Sequence, residues 1–143
     1  PIGMRWFNDK ILEKLISFSR RIKQLQVKFF CGDYQEMLKH VNDGHTFIYL
    51  DPPYMLTNGS YNDGKRGFKG WNRVLEDELF RFLDKLNAEG SRFMLSYVLE
   101  HKGKINQNLL DWVNKNGYHI KELGNILSIS GSRRKEILVI NYE

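Results

Sequence analysis

At 143 residues, 41% of them hydrophobic, the chain is long enough to bury one core of its own and is neither low-complexity nor disordered in composition. A net charge of +5 suits a polyanionic partner without demanding one. The single cysteine, Cys31, excludes an internal disulfide, no Cys or His cluster has zinc spacing, and no apolar run approaches the roughly 20 residues of a membrane span. The expectations are therefore a reducing, cytoplasmic setting with no metal and no membrane. The opening Pro1-Ile2-Gly3-Met4-Arg5 lacks the apolar core of a signal peptide and, starting without Met, reads as processed or truncated at its front.

Residues 8–26 place Ile11, Leu12, Leu15, Ile16, Phe18, Ile22 and Leu25 at spacings of three and four among Lys and Arg, which predicts an amphipathic helix. Residues 27–31 are aromatic and branched and stop at Gly32-Asp33, so a short strand is expected there, followed by a short helix over 34–41. Residues 46–50 are continuously apolar or aromatic, the mark of a strand covered on both faces in a parallel sheet. A polar, Gly-rich loop over 55–71 follows, of a length that is usually functional or mobile. A helix is expected over 74–87, closed by Gly90, then a buried strand over 92–97, a helix over 105–116 ending at Gly117, and strands over 118–123 and 137–142. This order predicts an α/β fold whose sheet is mostly parallel and ends in an antiparallel carboxyl-terminal pair.

Ligands of open parallel sheets bind outside the carboxyl ends of the strands, where Asp51-Pro52-Pro53-Tyr54 stands. Two adjacent prolines fix their own φ angles, hold Asp51 and Pro52 extended and remove two amide donors, leaving a rigid turn that presents acceptors. The Asp51 carboxylate and the Pro52 carbonyl together match a group with two N–H donors, such as the exocyclic amine of a base. Accepting both hydrogens would pyramidalise that nitrogen and aim its lone pair at an electrophilic methyl group. Acceptors preorganised where positive charge develops are worth several kcal/mol in the transition state. Tyr54 offers a face for base stacking, worth roughly 1–3 kcal/mol. The bland alternative is a strand-ending turn, since Asp-Pro and Pro-Pro pairs are common in loops; the buried strand before it and the long polar loop after it weigh against that reading.

The stretch Thr46-Phe47-Ile48-Tyr49-Leu50-Asp51-Pro52-Pro53-Tyr54 resembles its counterpart in amino-methylating DNA methyltransferases, specifically the Dam-type (alpha-group) N6-adenine enzymes. Phe30-Cys31-Gly32-Asp33-Tyr34, Phe93-Met94-Leu95-Ser96-Tyr97 and the ending from Ser132 to Tyr142 look like later landmarks of that family in their usual order, so the resemblance covers about 27–142. It implies the carboxyl-terminal part of a Rossmann-like class I methyltransferase domain, S-adenosylmethionine as cofactor, double-stranded DNA as substrate, and a prokaryotic or phage-encoded source. Residues 1–26 would then be a helical lead-in ending the target-recognition region, and 27–143 part of the catalytic domain. Asp51, Pro52, Pro53 and Tyr54 would hold a flipped adenine, Asp33 and Tyr34, with Asp51, would meet the cofactor, and Ser96 and Tyr97 would lie beside the target base. Read without the family, Asp33 is a turn or cap residue after Gly32, and Ser96 and Tyr97 are ordinary strand packing.

The sequence departs from the family by lacking a Phe-x-Gly-x-Gly loop, which normally contacts the methionine part of the cofactor. A truncated or split enzyme follows, inactive alone and completed by an upstream segment or companion chain. Lys65, Arg66, Phe68, Lys69 and Trp71 are candidate contacts to DNA, against a reading in which Phe68 and Trp71 fold back onto the core. Residues 128–135 are a second candidate phosphate contact or else a solvated hairpin connection, and Arg20, Arg21 and Lys23 read as a wet helix face. No role is assigned to His40, His45, His101 or His119. The rival functions are an RNA or protein amine methyltransferase using the same motif, and a non-catalytic nucleic-acid-binding module, which would have no need of Asp51.

Overall fold

The computed structural model describes residues 8–41, 46–57, 70–127 and 133–143. The chain divides into two compact units, Pro1–Tyr34 and Gln35–Glu143.

The first unit contains helix α1, Asp9–Gln24. Asn8 caps it by accepting the Ile11 amide at 3.1 Å, Asp9 stands in the first turn and Arg21 and Lys23 in the last, so both ends complement the helix dipole. None of its residues is buried, and the apolar stripe that predicts the helix remains exposed, Phe18 by 62%. Residues 27–31 form no strand. Their composition suits a strand, but that preference is realised on a half-buried sheet surface, and here Phe29 is 76% exposed.

The expected short helix is a 3-10 helix, Tyr34–His40, whose first residue is the last of the first unit. The sheet is built from β1 (Phe47–Leu50), β2 (Arg92–His101), the two-residue β3 (Lys104–Ile105), β4 (His119–Leu127) and β5 (Arg133–Ile140). Its order is β1-β2-β5-β4, with β3 paired to β2. β1 and β2 are parallel, in register from Phe47 opposite Arg92 to Leu50 opposite Leu95, while β5 runs antiparallel to both of its neighbours. β1, β2 and β4 therefore share one direction and β5 opposes them. Helix α2, Arg73–Ala88, supplies the crossover that a parallel pair requires.

β1 is not covered on both faces: Phe47 is 54% and Tyr49 57% exposed. Both project from the same face, while Ile48 and Leu50 on the opposite face are half-buried. Helix α3, Gln107–Asn116, begins later than its apolar pattern predicts, because Ile105 belongs to β3 and Asn106 caps the helix by accepting the Leu109 amide. The turn between β2 and β3 places Lys102 and Gly103 at φ of 52° and 72°, the geometry of a tight two-residue hairpin. Gly117 closes α3 in the left-handed conformation.

The core lies between the sheet and helices α2 and α3. Leu79, Leu83 and Leu86 of α2 and Leu109 of α3 are fully or almost fully buried with Phe93, Leu95, Ile137 and Val139. Trp112 stacks on Phe80 at 4.2 Å and meets Tyr118 edge-on at 5.0 Å. The Trp112 indole N–H and the Tyr118 hydroxyl both donate to Asp84 Oδ1 at 2.9 Å, so this aromatic cluster satisfies its own polar atoms. Asn141 pins the far edge, accepting the Phe93 amide and donating to Asn87 Oδ1 and the Ser91 carbonyl, each at 2.8 Å. We predict that Trp112→Ala lowers unfolding free energy by about 3–5 kcal/mol in urea titrations; a loss below about 1 kcal/mol would show that the cluster is not the centre of the core.

Candidate active site

β1 ends at Leu50, level with Leu95, so the turn that follows emerges beside the next residues of β2, Ser96 and Tyr97. Asp51 and Pro53 are exposed, while Pro52 and Tyr54 are half-buried. The Tyr54 hydroxyl donates to Asp51 Oδ1 at 2.7 Å and stands 3.5 Å from Ser96 Oγ. Since its proton is directed at Asp51, the serine hydroxyl is the donor in the second contact. Burial, followed by the hydrogen bond and charge of Asp51, pushes the Tyr54 hydroxyl up to about 12, against the partial relief given by Ser96. Tyr54 is therefore a neutral donor that orients the acid of its own motif.

Tyr97 is fully buried and meets the Tyr54 ring edge-on at 5.6 Å. Its hydroxyl donates to Glu76 Oε1 at 2.8 Å and accepts from the Trp71 indole at 2.9 Å and from the Met55 amide at 3.4 Å. Glu76, at the start of α2 and fully buried, also accepts from Asn106 at 2.7 Å and Asn108 at 2.8 Å. With its proton committed to Glu76, the Tyr97 oxygen is an obligatory acceptor, and it fixes the backbone directly after the motif. Burial, with the charge and hydrogen bond of Glu76, pushes the Tyr97 hydroxyl strongly upward.

A profile of the D12 class N6 adenine-specific DNA methyltransferases matches residues 3–129. The chain belongs to that family. It is 39% identical over 144 residues to modification methylase LlaI of Lactococcus lactis subsp. lactis, covering 99% of this chain and 22% of that protein. It is 40% identical over 142 residues to modification methylase StsI of Streptococcus sanguinis, covering 96% and 22%. Type II methyltransferase M.MjaIII of Methanocaldococcus jannaschii is 30% identical over 152 residues, covering 99% of this chain and 48% of that protein. The chain thus spans about a fifth of the length of the first two relatives.

Of the site residues expected for a D12 methyltransferase, the structure brings Asp51, Pro52, Pro53, Tyr54, Ser96 and Tyr97 together. Trp71 sits in the core at 8% exposure with its N–H on Tyr97, so it supports the motif from behind rather than presenting its ring at the surface. Lys65, Arg66, Phe68 and Lys69 lie outside the described residues, as do 128–132. Asp33 is exposed and Tyr34 half-buried, at the junction of the two units. Arg134, within the stretch 128–135 read as a candidate phosphate contact or a solvated connection, pairs with Glu136 and lies 5.9 Å from the Tyr54 ring centroid. Sequence reading missed Glu76, Asn106 and Glu136, which look like ordinary surface residues of helix starts and strand ends. The one signal available was Glu76 lying four residues after Asn72, in the first turn of a predicted helix, where acids are common for dipole reasons alone. Among the described residues no helix is long and apolar enough to cross a membrane, and no group of three or more His, Cys, Asp or Glu could hold a metal.

A raised tyrosine pKa stabilises the fold below the unfolded value and is lost as pH climbs through the folded one. We predict a urea midpoint that is steady below pH 10 and falls between pH 10 and about 12 as Tyr54 ionises, with Tyr97 and Tyr118 contributing. Tyr54→Phe should make that alkaline fall shallower; an unchanged alkaline limb would contradict the buried, Asp51-bonded setting of the Tyr54 hydroxyl.

Proposed function

We propose that this chain carries the amine-methylating half of an enzyme that moves a methyl group from S-adenosylmethionine to N6 of an adenine flipped out of double-stranded DNA. The observation that carries the reading is the rigid Asp51–Tyr54 turn at the end of a parallel strand, with the Tyr54 hydroxyl holding Asp51 at 2.7 Å. In this geometry Tyr54 occupies Oδ1, and Oδ2 together with the Pro52 carbonyl accepts the two amine hydrogens. The nitrogen lone pair is then freed from the ring and directed away from the turn. The Tyr54 ring, braced by Tyr97, provides the stacking face, and Ser96 steadies the phenol from the neighbouring strand.

The cofactor, when bound, supplies the electrophilic methyl of a sulfonium. The donor set suits part of such a ligand: Asp33 is an exposed acid fit to accept ribose hydroxyls, and Tyr34 adds an aromatic ring. The sequence contains no Phe-x-Gly-x-Gly loop for the methionine end. On this reading an upstream segment or a companion chain supplies that loop, the region through 26 closes the target-recognition part, and the cellular setting is a prokaryotic or phage restriction-modification system in the cytoplasm. The names of the relatives, modification methylases and type II methyltransferases, support this setting.

The test is transfer of labelled methyl from S-adenosylmethionine to unmethylated duplex DNA, with nucleoside analysis, using this chain with and without the polypeptide carrying the missing loop. Labelled N6-methyladenine only when both are present is the expected result. DNA binding without transfer in either condition would point instead to a non-catalytic nucleic-acid-binding module.

A further inference from the structure

The last strand reaches back to the motif through charge. Arg134, opposite His101 at the start of β5, places its guanidinium carbon 5.9 Å from the Tyr54 ring centroid, within cation–π range. Its Nη2 is ion-paired with Oε1 of Glu136, which stands opposite Val98 two positions along the same strand. Glu136 is 9% exposed, and it is near enough to Tyr54 to add, after burial and Asp51, to the upward push on the phenol. Arg134 Nε is buried with no hydrogen-bond partner, so the guanidinium is held by ring and carboxylate rather than by a full set of acceptors.

The obvious role for an arginine at a DNA-modifying site, a phosphate contact, fits this arrangement poorly, because the cation is already neutralised by a buried acid. A flat cation is nevertheless a good support for an aromatic ring. Its drawback is electrostatic: methyl transfer moves the positive charge of the sulfonium onto the amine nitrogen beside Tyr54, and an uncompensated cation would repel the charged reactants at every stage. We propose that Arg134 and Glu136 form a charge-neutral support for Tyr54, in which the guanidinium fixes the stacking ring and the Glu136 carboxylate cancels the charge that would otherwise repel the cationic cofactor and the transition state formed from it. This rests on the proposed adenine methylation. Both residues are positioning residues, acting through Tyr54 and through the local field.

The two charges have separable effects, which a purely structural ion pair would not. In the complete enzyme, Glu136→Gln leaves the cation in place and should lower kcat/KM for the cofactor on the order of tenfold, the effect of a unit charge about 10 Å from the cationic reactants at an effective dielectric near 20. Stacking should persist in this variant, read as retained quenching of 2-aminopurine placed at the target position of the duplex. The double variant Arg134→Met/Glu136→Gln restores neutrality and should regain kcat/KM for the cofactor to within about threefold of wild type, while the KM for DNA rises and quenching weakens because the ring has lost its support. A Glu136→Gln enzyme within about twofold of wild type in kcat/KM for the cofactor, or a double variant no better than Glu136→Gln, overturns the proposal. Should Glu136→Gln not fold, the double variant decides alone: near-normal kcat/KM for the cofactor with a raised KM for DNA supports the proposal, and a loss of about tenfold in kcat/KM for the cofactor overturns it. Absence of transfer by the wild-type enzyme overturns the methylation reading itself, and this proposal with it.

Discussion

The buried hydroxyl of Tyr97 is where strand, helix, loop and motif are joined. Because its proton goes to Glu76, its oxygen must accept, and what it accepts are the Trp71 indole and the Met55 amide. A buried carboxylate is costly unless its oxygens are satisfied, and here Tyr97, Asn106 and Asn108 satisfy them. Asn106 is also the cap of α3, and Glu76 lies in the first turn of α2, so the polar chain that fixes the turn after β1 is continuous with the start of both core helices. The Asp51–Tyr54 turn is thereby held by buried polar groups of the core.

That arrangement explains a division of labour around Tyr54. From below, Tyr97 braces the ring; from the neighbouring strand, Ser96 offers a hydroxyl; from the last strand, Arg134 and Glu136 approach as a pair. The exposed member is Asp51, oriented by the Tyr54 phenol. On the proposed function, a site built this way has its acceptors set before any base arrives, which is the condition under which hydrogen bonds contribute to a transition state instead of merely to binding.

Much of this is readable from sequence where local chemistry decides. The period of α2, the glycines that close α2 and α3, the apolar β2 and the Asp-Pro-Pro turn each follow from residue types a few positions apart. What depends on remote partners is not readable. Residues 27–31 have the composition of a strand, but that preference is realised only on a half-buried sheet surface, and Phe29 and Phe30 are exposed. The two-sided burial expected of β1 fails because Phe47 and Tyr49 share one face, and what covers a face is set by elements remote in sequence. The insertion of β5 between β2 and β4 brings Arg134 and Glu136 to Tyr54, a contact between positions some 80 residues apart that no local pattern encodes. Glu76 is indistinguishable in sequence from a surface acid favouring a helix start.

The chain belongs to the D12 family, and its own geometry carries the proposed role of the motif. The central claim is that the Asp51 carboxylate grips the target amine and does little for folding, being exposed at the end of a turn that other residues hold. The most direct measurement is methyl transfer by an Asp51→Ala variant of the complete enzyme, alongside its urea midpoint and its affinity for duplex DNA. Transfer lost with the midpoint and DNA affinity preserved is the predicted result. Transfer that survives the substitution would contradict the account.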